Sequence, residues 1–241
     1  MKILTKVYKI IAFKLKKKIN LDKKKINLNN LNNIFNHFGT DKGSKVSNPY
    51  TKNINKDYLG HGFSKYYEKH FKNLKGKKIN VLEIGVWKGA STASFFYYLS
   101  KANFYAIDRN FKFNYYSKRI KFIYCDTSSS KDLVKLKEYL QKNKIISFDI
   151  IIDDGSHILS NILKNFIFFF NLLKSGGIYV IEDYKHPNYF FYLNDLKKHF
   201  YVDKILYFLK KKIIFKSSVI TKTQIKFLIL NIKKIFTYKG I

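Results

Sequence analysis

Five short apolar runs, each with a carboxylate at or next to its end, constrain what this chain can fold into. They are "INVLEI" (79–84), "NFYAID" (103–108), "IKFIYCD" (120–126), "FDIIIDD" (148–154) and "GIYVIED" (177–183). Helical stretches separate them: "ASTASFFYYLS" (90–100), "SKDLVKLKEYLQKN" (130–143) behind a Ser N-cap, and "ILSNILKNFIFFFNLLK" (158–174), which Ser-Gly-Gly should end. Strands that are apolar on both faces, alternating with helices, bury both faces of a parallel sheet. A further helix, "YFFYLNDLKKHF" (189–200), is expected. Residues 203–216 then read as two strands joined by a lysine turn, which would add an antiparallel strand at one edge. The expectation is an α/β doubly wound, mostly parallel sheet, followed by helical periodicity over 219–237.

Ligands of such sheets bind outside the carboxyl ends of the strands, where strand order reverses. Here those ends carry Glu83, Asp108, Asp126, the Asp153–Asp154 pair, and Glu182–Asp183. Neighbouring strands lie about 4.8 Å apart, so the carboxylates crowd one rim. Crowded like charges are costly unless cations or hydrogen-bond donors meet them. The loop after the first strand spaces its residues E-x-G-x-x-x-G, with Trp87 and Lys88 inside, rather than the G-x-G-x-x-G of a pyrophosphate-binding turn. It suits S-adenosylmethionine, a cofactor that carries no phosphate but has an ammonium and a sulfonium. Asp108 can accept both ribose hydroxyls, and Asp126 can accept from the adenine amino group. Asp154, Glu182 and Asp183 offer oxygen ligands, which select a hard ion such as Mg²⁺. His157 follows the Gly155 turn and is placed to act as general base. His37, His61, His70, His186 and His199 have no comparable neighbourhood, although His186 closely follows the fifth strand.

The net charge is +31, and all but two of the 47 basic residues are lysine; Arg109 and Arg119 are the exceptions. Dedicated nucleic-acid readers rely on the bidentate guanidinium, so no specific nucleic-acid partner is expected. Cys125 is the single cysteine, which precludes an internal disulfide and fits a packing role in a reducing, cytoplasmic setting. No apolar run reaches the ~20 residues of a membrane span, and the lysine-interrupted start lacks a signal-peptide cleavage pattern. That start is a basic amphipathic helix. Ile3, Leu4, Val7, Tyr8, Ile10, Ile11 and Leu15 share one arc, and Lys2, Lys6, Lys9 and Lys16 gather on the other. Two placements are open for it: docked on the domain or a partner, or peripheral on an anionic membrane surface at the inner face.

"VLEIGVWKG", "FDIIIDDGSH" and "GGIYVIED" resemble the metal-dependent sugar O-methyltransferases that modify macrolide deoxysugars, together with their cephalosporin-hydroxylase-like branch. "FGTDKGS" (38–44) and "SKYYEKHF" (64–71) look like the lead-in segment of that group. The resemblance spans roughly residues 34–217. It implies a class I methyltransferase (Rossmann-like) fold with a seven-stranded sheet. It implies cofactor contacts from Glu83, Gly85, Gly89, Asp108 and Asp126, with Trp87 and Asp153 counted in the same set, and a Thr40-Asp41-Lys42 loop over the methionine end. It implies Mg²⁺ on Asp154, Glu182 and Asp183, and His157 as base. The acceptor would be a sugar hydroxyl of a small molecule or glycan, and a homo-oligomer is compatible. The organisation expected is a basic helix and linker (1–33), a cofactor-covering lead-in (34–76), the methyltransferase domain (77–218) and a basic C-terminal helix (219–241). Hydroxylase-like chemistry on the same fold is an alternative, but it calls for two histidines at the metal. A non-catalytic glycolipid- or nucleic-acid-binding module is another.

Overall fold

A computed structural model describes residues 2–46, 58–184, 202–217 and 219–238. In chain order the strands are β1 (Ile19–Asn20), β2 (Lys45–Val46), β3 (Tyr58–Leu59), β4 (Asn80–Ile84), β5 (Asn103–Asp108), β6 (Tyr115–Tyr116), β7 (Ile120–Tyr124), β8 (Phe148–Asp153) and β9 (Leu173–Ile181). The helices are α1 (Lys2–Leu15), α2 (Leu31–Phe38), α3 (Ser64–Phe71), α4 (Ala90–Tyr98), α5 (Ser130–Lys142), α6 (Leu159–Phe170), α7 (Val202–Lys210) and α8 (Lys222–Asn231).

The five apolar runs pair in the order β7-β5-β4-β8-β9, and every pairing is parallel. The chain leaves β4 toward one side through β5 and β7, then returns to the other through β8 and β9. Strand order therefore reverses between β4 and β8. The register Ile84 opposite Asp153, and Asp153 opposite Ile181, brings three acidic strand ends level. This is the doubly wound, parallel core expected of a class I methyltransferase fold.

Both faces are covered, as the uniform apolarity demands. One layer joins Leu31, together with Ile34, Phe35, Phe63, Tyr67 and Phe71 of the lead-in, to α4 and the sheet. Ser129 caps α5 by accepting from the Asp132 N–H. Cys125 is buried, and burial pushes its thiol up to about 12 with Asp132 and Asp126 adding to the effect, so it is a packing residue.

Three expectations are corrected. The hairpin at 203–216 is absent: α7 occupies its first half, burying Ile205 and Leu209, one helical turn apart, with Leu159, Ile162 and Phe166 of α6. The main sheet, among the described residues, consequently has five strands and no antiparallel edge. Helix α6 stops at Phe170, and Ser175-Gly176-Gly177 lies inside β9, where a register irregularity between Phe148 and Ile150 absorbs it. The helix expected at 189–200 lies outside the described residues, as do His186 and His199.

Candidate functional site

The β4–α4 loop forms the floor of the rim. Gly85 has φ +83°, and a Cβ there would sit 2.0 Å from the Asp154 carbonyl oxygen. The tips of β4 and β8 meet at this glycine with no room for a side chain. Gly85→Ala should therefore cost more than about 2 kcal/mol, because strain and a backbone clash add. Urea denaturation monitored by far-UV circular dichroism measures this; an unchanged midpoint would contradict the packing described.

Beneath the loop, Glu83 is 1% exposed and accepts from the Ser91 and Thr92 hydroxyls at the start of α4. Burial raises its pKa, against the pull of Lys42 and those hydroxyls. Beside the loop, Asp108 accepts from the Trp87 N–H at 2.6 Å and the Asn110 N–H at 2.7 Å. Trp87 takes a left-handed backbone, φ 44°, and Gly89, φ 88°, opens α4. Asp126, half-buried at the end of β7, closes a turn by accepting from the N–H and hydroxyl of Ser128.

The two carboxylates of the β8 tip part company. Asp153 is 2% exposed and turned inward, accepting from the Gly155 N–H and the Tyr179 hydroxyl. Burial pushes it up to about 7. Asp154 faces the rim. There its carboxylate, the His157 imidazole and the Asp183 carboxylate each place one ligand atom within 4.8 Å of the others. This group can hold a metal ion, and its two carboxylates supply the hard oxygen donors that Mg²⁺ prefers. Asp183 reaches it from a left-handed residue, φ 49°, at the exit of β9.

Glu182 is not in that group. It is buried, and its oxygens are taken by Lys42 Nζ at 2.6 Å and by the Tyr67 hydroxyl, which donates to it. Lys42 also meets Asp154 at 2.5 Å. Burial would push the Lys42 ammonium toward neutrality, but Asp154 and Glu182 outweigh it, and the pKa lies well above the usual lysine value. Lys42 thus arrives from the lead-in to bind two strand tips at once. The geometry that delivers it is local. Gly39 ends α2 in the left-handed region, and the 41–44 turn is zipped to 60–63 by the bonds His61 N–H to Asp41 C=O, Gly62 N–H to Gly43 C=O and Phe63 N–H to Lys42 C=O. Thr40 is buried beside it.

Lys42, expected only as part of the loop over the methionine end, is instead the cation of two strand tips, and Tyr67 is a member of the site that the sequence did not single out. The signal available was their presence in the two lead-in motifs, "FGTDKGS" and "SKYYEKHF". The sequence reading also set His61 aside, whereas the fold brings His61 Nδ1 to 3.6 Å from Asp183. His70 is engaged elsewhere, with Tyr238.

Comparisons with known proteins agree with this architecture. Residues 82–184 match a family model described as a methyltransferase domain. Mycinamicin VI 2''-O-methyltransferase of Micromonospora griseorubida is 32% identical over 130 residues, which cover 51% of this chain and 31% of that protein. Demethylmacrocin O-methyltransferase of Streptomyces fradiae is 31% identical over 130 residues, covering 51% and 32%. The chain thus spans about a third of the length of these curated relatives. Among solved structures, MycE methyltransferase from the mycinamycin biosynthetic pathway, in complex with Mg, SAH and mycinamycin VI, superposes with a TM-score of 0.65. It is 22% identical, with 89% of this chain and 53% of that chain covered.

Proposed function

We propose that this chain, which carries a methyltransferase domain over residues 82–184, is a cytoplasmic S-adenosylmethionine- and Mg²⁺-dependent O-methyltransferase acting on a sugar hydroxyl of a glycosylated small molecule or glycan. The observation that carries the reading is the convergence of Asp154, His157 and Asp183 beside the Gly85–Gly89 loop at the point of strand reversal. The names of the curated relatives described above, both O-methyltransferases, support methyl transfer to an oxygen.

S-adenosylmethionine would supply the methyl group, and a divalent cation would acidify and orient the acceptor hydroxyl. Gly85, Trp87 and Gly89 would form the cofactor's floor, Asp108 would take its ribose, Asp126 would stand at the adenine end, and Thr40 would close the methionine end. Glu83 and Asp153, expected to contact the cofactor, are buried and would instead support the loop and the β8 tip from below. Asp154 and Asp183 would hold the metal. Lys42, with Glu182 as its second counter-ion, fixes the Asp154 carboxylate in place. His157 would take the hydroxyl proton, the general-base role that an imidazole suits. Positioning donor and acceptor in line can supply roughly 7–11 kcal/mol of the barrier reduction.

The test is incubation of the purified chain with methyl-labelled S-adenosylmethionine and a pool of glycans and glycosylated metabolites, with Mg²⁺ or with chelator. The expected result is label in a sugar methyl ether, formed only with the metal. Label in no glycan, or equal labelling in chelator, would overturn the proposal.

A further inference from the structure

Helix α1 is attached to the domain by the wrong side. Among its described side chains, Phe13 packs on the domain: its ring lies 5.6 Å from that of Phe111 and 5.0 Å from that of Phe122, with the group around Val86 and Phe113. Phe13 is two residues from both Ile11 and Leu15. At about 100° per residue it therefore points roughly 160° away from each. Val7, Tyr8, Ile11 and Leu15 of the arc accordingly face outward, while Ile10 at its edge is half-buried. Val7 is 47% exposed, Tyr8 72%, Ile11 51% and Leu15 80%. Scattered apolar residues on a surface are ordinary, but four along one face of one helix form a patch.

Charge says what covers that patch. Seven lysines precede residue 19, and no acidic residue precedes Asp22. Lys9, Lys14, Lys16 and Lys17 are exposed. A second copy of a chain carrying +31 would set these lysines against their own kind. An anionic surface with an apolar interior satisfies both features: the arc enters the acyl boundary and the ammonium groups reach the headgroups. Lys14 falls within the arc, and its long stem lets the ammonium reach headgroup level from there. No described helix is long and apolar enough to cross a membrane, so the contact is peripheral.

We propose that the exposed face of α1 docks the chain on anionic phospholipid. This does not depend on the catalytic reading, and its test does not involve methyl transfer. The full chain is co-sedimented with phosphatidylcholine vesicles, with and without phosphatidylglycerol, at low and high salt. The charge-neutral double variant Ile11→Asn/Leu15→Asn is compared after circular dichroism confirms an unchanged fold. Binding is expected only to the phosphatidylglycerol vesicles, to weaken with salt, and to fall about tenfold or more in the double variant. Three results would overturn the proposal. One is absence of binding. Another is binding that the double variant retains in full, which would assign it to lysines elsewhere. The third is a wild-type dimer that the variant converts to monomer while vesicle affinity is unchanged, which would assign the face to a second copy.

Discussion

Replacing Lys42 with methionine is expected to destabilise the fold by about 3–5 kcal/mol near pH 8 in the presence of chelator, because it strands the buried Glu182 and the partly buried Asp154 without their cation. Methionine keeps most of the stem's volume, so the loss is electrostatic rather than a cavity. The deficit should depend on pH. Burial already pushes Glu182 up to about 7, against Lys42 and Tyr67, and raises Asp154 well above the ordinary carboxylate range, against Lys42. Removing the ammonium raises both further. A carboxyl whose folded pKa exceeds its unfolded value holds an extra proton in the folded state between those two values. Stability is then highest below the unfolded value, about 4, and falls as pH rises toward the folded one. The variant should therefore lie closest to wild type near pH 5 and furthest above neutrality. Urea denaturation across this range measures it. A deficit that is absent, or equal at both ends, would show that Lys42 is not the counter-ion of this rim.

His157→Ala is expected to lower turnover by roughly 10²–10⁴-fold, the usual contribution of a positioned general base. Affinity for S-adenosylmethionine should hold, because the proposed cofactor floor draws on the β4 loop and the β5 tip rather than on this turn. Steady-state kinetics with isothermal titration of the cofactor separates the two quantities. Turnover within a few-fold of wild type would remove the base assignment. Joint loss of turnover and cofactor affinity would mean that the substitution had collapsed the β8 tip instead.

Much of this site was legible in the sequence because its residues sit at the ends of strands, and a parallel sheet aligns strand ends whatever the connections do. The alternation from 79 to 183 therefore announced both the architecture and the rim on which Asp108, Asp154 and Asp183 stand. Lys42 was legible as part of the loop over the cofactor but not as the counter-ion of the rim. It is one of many lysines, and what makes it special is a contact 112 residues along the chain that no local periodicity reports. Its capture of Glu182 also explains why that residue, next to Asp183 in sequence, leaves the metal-competent group: adjacent residues leaving a strand point in opposite directions. The 203–216 error has a different origin. Ile205, Tyr207 and Leu209 fit a two-residue alternation, while Ile205 and Leu209 also fit one helical turn. Burial against α6 settles the choice, and a single short segment does not encode that partner. The outward arc of α1 was visible as an arc; which side the domain would hold was not.

The central claim is that Asp154 and Asp183 hold a divalent ion beside the cofactor. Its most direct test is calorimetric titration of Mg²⁺ into the chain saturated with S-adenosylhomocysteine, for wild type and for Asp154→Asn. The account predicts one Mg²⁺ bound per wild-type chain and an affinity at least about tenfold weaker in the variant, given that a lost ligand costs upward of about 1.4 kcal/mol. Equal Mg²⁺ binding by the two proteins, or none by wild type, would contradict it.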